Sequence, residues 1–177
     1  PQEHLEGLHY FSPVEVGTSP PSATSSPSVL LVGRVREAKG ILPFIDVVSR
    51  LPKNVRGTIV GDPDDATRRL IRDEADQRGC LNRIEMSGWR DRKGVADLVQ
   101  AATAVIFPSL WAEPFGIVGI EAMARGVPVV GFNVGGVRAW LEDEKTGCLV
   151  GRNDTAAMSN RVKVLLDDSE LRKRMGL

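Results

Sequence analysis

Two glutamates, Glu113 and Glu121, stand with seven residues between them in the segment Pro108–Val130, PSLWAEPFGIVGIEAMARGVPVV. The apolar neighbours Ile117, Ile120 and Ala124 predict a largely covered face around Glu121. A carboxylate in such a place is costly unless a partner satisfies it. Ligand hydroxyls would serve, and so would an internal ion pair with Arg125, four residues on. Glu113 reads either as a ligand-facing acid or as a cap-region acid that favours the helix dipole. Between the two, Pro114 suits the first position of a helix that reaches Arg125 and is closed by Gly126. The N–H groups of Phe115, Gly116, Ile117 and Val118 would then be open to a ligand, and Gly116 lacks the side chain that would keep one away. Such a start cradles an anion or a sugar hydroxyl.

A second candidate lies nearer the amino end, in Gly33–Gly40, GRVREAKG. This loop is neither the dinucleotide fingerprint GxGxxG nor the phosphate loop GxxxxGK[ST], which speaks against a dehydrogenase. It places Arg34 directly after the strand-end residue Gly33 and Lys39 at the start of the next helix. A bidentate guanidinium fork and an ammonium point charge in one strand-to-helix loop suit a diphosphate. Taken alone, the two would equally pass for solvated loop cations.

Both sets of residues need a common edge to act on one ligand, and the pattern around them supplies it. From Val29 onward, short β-branched runs alternate with amphipathic stretches, the texture of a parallel α/β sheet. The expected strands are Val29–Val32, Gly57–Val60, Ile84–Met86, Ala104–Phe107, Val127–Val130 and Cys148–Val150. Ile41, Phe44, Ile45 and Val48 mark the inner face of one helix, which Leu51 and Pro52 end. Asp64–Arg78 is a charged outer helix with Leu70, Ile71 and Ala75 inward and Gly79 as its stop, and Val95, Leu98, Val99 and Ala102 mark a third. Right-handed crossovers make these units a Rossmann-like, doubly wound parallel sheet of about six strands. Ligands bind such sheets at the carboxyl ends of the strands, where both candidate segments begin.

The bulk properties bound the rest. The chain has 177 residues, with 23 Lys plus Arg against 23 Asp plus Glu. One domain is expected at that length, and a neutral chain has no broad basic field for nucleic acid. No run of about 20 apolar residues predicts a membrane span and no leader pattern is visible, so a cytoplasmic protein is expected. Cys80 and Cys148 read as buried free thiols. Residues 1–28 form a linker or irregular lead, ending in the Ser/Thr/Pro-rich TSPPSATSSPS of Thr18–Ser28, in which His4 and His9 are incidental; residues 29–177 form the domain. Trp111 and Trp140 read as packing groups rather than ligand contacts.

The E-x7-E setting EPFGIVGIEAMARGVPVV closely resembles the carboxyl-terminal signature of the retaining GT-B glycosyltransferases, in particular glycosyltransferase family 4, the group 1 glycosyl transferases. Gly33-Arg34 with Lys39-Gly40 resembles that family's phosphate clamp, Ile59-Val60-Gly61-Asp62 its second strand end, Ser87-Gly88 its nucleoside turn, and Lys145-Thr146-Gly147 the turn before its last strand. The likeness runs from about Ser28 to Leu177. It implies one half of a GT-B architecture that binds a nucleotide-diphosphate sugar, whether a UDP-, GDP- or ADP-sugar, without a metal or other cofactor. Arg34 and Lys39 would neutralise the departing diphosphate, and Glu113 would orient the donor sugar. Glu121 would hold the ribose, Ser87, Gly88 and Trp89 would lie along the base or ribose, and the amides of Phe115, Gly116, Ile117 and Val118 would meet sugar and phosphates, with Gly33 at the strand end. The acceptor site would belong to a missing amino-terminal domain, so that this chain alone would bind donor but not transfer it; peripheral membrane association of the full-length enzyme would be compatible. The family's GGxxE turn departs at Ala139, with Glu142 as the nearest acid. Other readings are a GT-B nucleotide-sugar epimerase and a non-catalytic binding or interaction module.

Overall fold

A computed structural model describes residues 26–175. Six strands, β1 (Ser28–Val32), β2 (Arg56–Val60), β3 (Ile84–Gly88), β4 (Ala104–Phe107), β5 (Val129–Phe132) and β6 (Gly147–Val150), form one sheet in the order β3-β2-β1-β4-β5-β6. Every ladder in it is parallel. The helices are α1 (Ile41–Arg50), α2 (Asp65–Gln77), α3 (Arg92–Ala101), α4 (Ile117–Met123), α5 (Thr155–Asp167) and α6 (Ser169–Met175). The strand order reverses between β1 and β4, so right-handed crossovers put α1 and α2 on one face and α3 and α4 on the other. Helix α5 returns to pack on α1.

Burial follows the β-branched runs and the inner helix faces. Val29, Leu30 and Leu31 of β1, Val105 and Ile106 of β4, and Val129 and Val130 of β5 are buried, as sheets covered on both faces require. Ile41, Phe44, Ile45 and Val48 of α1 are all fully buried against them. Asp64 caps α2 and accepts the Thr67 N–H at 2.8 Å, a bond that lowers its carboxyl pKa below the usual range. Cys80 and Cys148 are buried and free.

Several boundaries differ from the sequence expectation. Ser28 belongs to β1, since it pairs with Arg56 and accepts the Thr103 N–H at 2.8 Å, so that strand starts one residue before the expected Val29. His4 and His9 lie outside the described residues. Strand β3 runs on to Gly88 through a register shift. The strand expected at Val127–Val130 is Val129–Phe132: the Val127 N–H is taken by the Ala122 carbonyl, and Pro128 has no N–H to give the ladder. Helix α4 begins at Ile117, three residues after Pro114, because Gly116 takes a left-handed conformation with φ 85° as its cap. Among the described residues no helix is long and apolar enough to cross a membrane.

Candidate functional site

The carboxyl ends of β1, β2, β3 and β4 open onto three adjoining hollows, and Val32, the last residue of β1, borders all three. The central one, about 370 Å³, lies between the loop after β1 and the loop after β4; Gly33, Arg34, Lys39, Ser109, Glu113 and the stretch Pro114–Val118 line it. The largest, about 470 Å³, is bordered by Arg34, Arg36, Asp62, Asp64, Trp89 and Arg90. The third, about 200 Å³, runs between α3 and α4 past Arg92, Glu121 and Arg125.

Lys39 reaches the central hollow from a turn of 3-10 helix, Glu37–Lys39, that is docked onto the β4 loop. The Leu110 N–H donates to the Ala38 carbonyl at 3.0 Å, and a Cβ on Gly40 would overlap the Pro108 carbonyl. The docking brings Lys39 into a salt bridge with Glu113, 74 residues away. Glu113 is only 5% exposed, and the Ser109 hydroxyl donates to the same carboxylate oxygen at 3.1 Å. A buried carboxylate is thus satisfied by one cation and one hydroxyl, while Lys39 keeps donors free for another acceptor in the hollow. Arg34 is exposed and has no hydrogen-bond or ion-pair partner among the described residues.

Glu121 differs from its expected setting. Ile117 is 48% exposed and Ile120 and Ala124 are half-buried; the covered residues of α4 are Gly119 and Ala122. Trp140 occupies the space over Gly119, where no side chain fits, and Ile117 turns outward. Nor does Glu121 form the ion pair with Arg125: that guanidinium donates to the Glu121 backbone carbonyl at 2.7 Å, and the carboxylate is without a partner among the described residues.

The β3 end is less uniform than the sequence suggests. Trp89, 74% exposed, borders the largest hollow. Gly88, at φ 71°, gives its carbonyl to the Gly61 N–H at 3.0 Å. The Ser87 hydroxyl is turned onto the backbone, 3.2 Å from the Gly88 carbonyl and 3.5 Å from that of Ile59, and Ser87 borders none of the three hollows. Sequence reasoning passed over Ser109, Arg36, Arg90 and Arg92. Inspecting every connection after a strand finds Arg90 and, as the first residue of α3, Arg92; Ser109 and Glu113 stand in an irregular segment, where a four-residue spacing predicts no contact.

Six cations (Arg34, Arg36, Lys39, Arg90, Arg92, Arg125) and four carboxylates (Asp62, Asp64, Glu113, Glu121) border the three hollows. Six against four leaves two positive charges at one edge of a chain whose total is zero. A dianion with hydroxyls on either side complements such an edge.

The family model of the Glycosyl transferases group 1 matches residues 18–176. The D-inositol 3-phosphate glycosyltransferase of Corynebacterium efficiens is 36% identical over 155 residues, covering 84% of this chain and 36% of that protein. The alpha-D-kanosaminyltransferase of Streptomyces kanamyceticus is 34% identical over 156 residues, covering 84% of this chain and 39% of that protein. The crystal structure of Anabaena HepE in complex with UDP and glucose superposes with a TM-score of 0.80 at 25% identity, over 87% of this chain and 42% of that one. The chain therefore spans well under half the length of these relatives. With the match running through the whole sheet, both cationic loops and both glutamates, the chain belongs to the group 1 glycosyl transferases.

Proposed function

We propose that this chain is the donor-binding half of a retaining, family 4 GT-B glycosyltransferase of the cytoplasm, and that it takes a sugar linked to a nucleoside diphosphate. The observation that carries the reading is the meeting of Lys39, Glu113, Arg34 and the Gly116–Val118 stretch around one hollow. The diphosphate lies between Arg34 and Lys39, which take up the negative charge that develops as the sugar departs, without a metal ion. Fixed cations and N–H groups aimed at that developing charge lower the barrier to such a transfer more than any other single effect. Lys39 bonds a phosphate oxygen while keeping Glu113, since an ammonium has three donors. Glu113 is held where the sugar ring enters and orients it. Glu121 accepts the ribose hydroxyls in the adjoining hollow, and Trp89 offers a face to the base. The acceptor is brought by the amino-terminal domain of the whole enzyme, in a front-face substitution in which the leaving phosphate receives the acceptor's proton.

Calorimetric titration of the chain with UDP, GDP, ADP and their sugars tests this. One nucleoside diphosphate binds and Arg34→Ala weakens it. Binding of none overturns the donor-site reading, and robust sugar transfer by the chain alone overturns the division of labour between the halves.

A further inference from the structure

The loop that carries Glu113 has little of its own to hold it. Gly116 sits at φ 85°, where a residue without a side chain loses more freedom on folding than any other. Among the described residues, no backbone N–H from Trp111 to Gly116 donates to a backbone carbonyl outside the regular elements. Locally, the Trp111 carbonyl accepts the Ser109 hydroxyl at 3.5 Å and the Gly116 carbonyl the Gly119 N–H at 3.0 Å; the carbonyls of Glu113 and Phe115 are both held from one distant segment. The Gly136 N–H donates to the Glu113 carbonyl at 2.7 Å, and the Trp140 indole N–H donates to the Phe115 carbonyl.

The segment, a 3-10 turn over Gly135–Ala139 followed by Trp140, fits the loop by shape as well. A Cβ on Gly136 would overlap the Pro114 carbonyl, and one on Gly135 the Glu113 carbonyl, so the two backbones lie in direct contact. The Trp140 ring lies over Gly119, where a Cβ would overlap it, and a Cβ on Gly116 would come within 3.2 Å of it. It meets Phe107 edge to face, with centroids 5.7 Å apart and planes at 90°. Phe107 in turn borders the central hollow, whereas Trp140 borders none of the three.

We infer that Trp140 is a positioning residue for the donor site: its indole N–H and ring hold the Glu113–Gly116 loop from behind, so that Glu113 and the backbone after it face the diphosphate and sugar. The inference rests on the donor-site reading for the ligand it names, but the anchoring itself does not depend on a ligand. It commits Trp140 to one effect. The contacts of the diphosphate, made from the loop, depend on the indole; those of the base, at Trp89 just past β3, and of the ribose, at Glu121 within α4 and beyond Gly119, do not.

Trp140→Phe keeps a ring and removes the donor, and Gly119→Ala keeps the indole but forces the ring to shift. Each variant is titrated with UDP, GDP and ADP and with uridine, guanosine and adenosine. Amide hydrogen exchange is followed at Gly119 and Gly136, whose N–H groups bond the loop's Gly116 and Glu113 carbonyls. Both variants are expected to weaken the nucleoside diphosphate 3- to 10-fold, to leave the nucleoside within 2-fold, and to speed exchange at Gly119 and Gly136 without speeding it in β1. Unchanged diphosphate affinity, or an equal loss for nucleoside and diphosphate with exchange raised throughout the sheet, overturns the inference. If the parent chain binds no nucleotide, the donor-site reading fails by itself; accelerated exchange confined to the loop's partners still supports the anchor, and unchanged exchange still removes it.

Discussion

Asp46 and Glu121 are both helix carboxylates next to arginine, and the fold treats them in opposite ways. Asp46, on α1, is 7% exposed and takes hydrogen bonds from Arg50 on its own helix at 2.9 Å, from Arg78 just past α2, and from the Thr155 hydroxyl at the start of α5. Close by, the buried Arg83 spends its terminal nitrogens on the carbonyls of Ser49, Leu51, Pro52 and Val55, which close α1, at 3.2 to 3.4 Å. In the layer of α1, α2 and α5 each of these charged groups finds protein partners, although Arg83 Nε is a buried side-chain nitrogen that has none among the described residues. At the carboxyl edge of the sheet Glu121 and Arg34 are not, and Trp89, Trp111, Phe115 and Ile117 stand exposed. Buried polar groups that find protein partners serve the fold, and groups left unpartnered around a hollow stay open to solvent or to a ligand. Glu113 is intermediate: satisfied by Lys39 and Ser109, yet inside the hollow.

The largest expected effect breaks the satisfied side. Asp46→Ala, which removes three hydrogen bonds to one covered carboxylate, should cost about 3 kcal/mol of stability in urea unfolding, the upper end for bonds to a charged group, since both arginine partners are half-exposed, and should leave nucleotide affinity unchanged. The same residue sets a pH dependence. Burial raises its pKa, but the hydrogen bonds from Thr155 and Arg50 and the charge of Arg78 outweigh it and hold the carboxyl below the usual range. A carboxyl depressed on folding contributes stability that is complete above its unfolded value, about 3.9 for aspartate, and that is lost as the pH falls through its folded value. Asp46→Asn should flatten the fall in thermal midpoint below about pH 4; an undiminished fall assigns the acid sensitivity to other carboxylates.

Next come the two cations of the central hollow, which separate by stability rather than by affinity. Arg34→Ala and Lys39→Ala should each weaken the nucleoside diphosphate by about 1.5 to 3 kcal/mol, as hydrogen bonds to charged groups do. Arg34→Ala should move unfolding by no more than about 0.5 kcal/mol, a surface change. Lys39→Ala leaves Glu113 buried with a hydroxyl alone and should lower stability by a further 1 to 3 kcal/mol or so. Equal stability in the two variants would place Lys39 on the ligand side only.

The division between these regions also explains what could be read from the chain. Strand Ala104–Phe107 and the inner face Ile41, Phe44, Ile45, Val48 come out as expected, since burial on both sides of a parallel sheet writes itself as β-branched runs and helical periods. Arg34, Lys39 and Glu113 stand out in the sequence because they follow strand ends, and Glu121 because it lies in the helix that comes next, whereas Arg36, Arg90 and Arg92 do not stand out. The start of α4 is not legible, because the backbone at Glu113 and Pro114 is claimed by Gly135 and Gly136 from beyond β5. Local propensity sees a proline fit for a first turn; the long-range contact decides otherwise. The setting of Glu121 was misjudged for a related reason. Apolar residues at helical spacing predict their own burial, but Trp140 fills that place over Gly119. Asp46 carries only the signal of Arg50, four residues on, since its other two partners, Arg78 and Thr155, stand 32 and 109 residues away.

The smallest effect is the sharpest on the comparison. Glu121→Gln keeps shape and acceptor oxygen but removes the charge, and it should weaken the nucleoside diphosphate by only about 0.5 to 1.5 kcal/mol, the worth of an ordinary hydrogen bond. Stability should stay within about 0.5 kcal/mol, because no protein donor loses its acceptor: Arg125 bonds the backbone carbonyl, which the substitution leaves in place. The affinity loss should be as large with the free nucleoside as with its diphosphate, since the groups concerned are ribose hydroxyls. The corresponding 2′,3′-dideoxynucleoside diphosphate, lacking those hydroxyls, should bind parent and variant alike. If Glu121→Gln instead destabilises the fold as Asp46→Ala is expected to, the carboxylate has a structural partner after all, and the contrast between the two helix acids collapses.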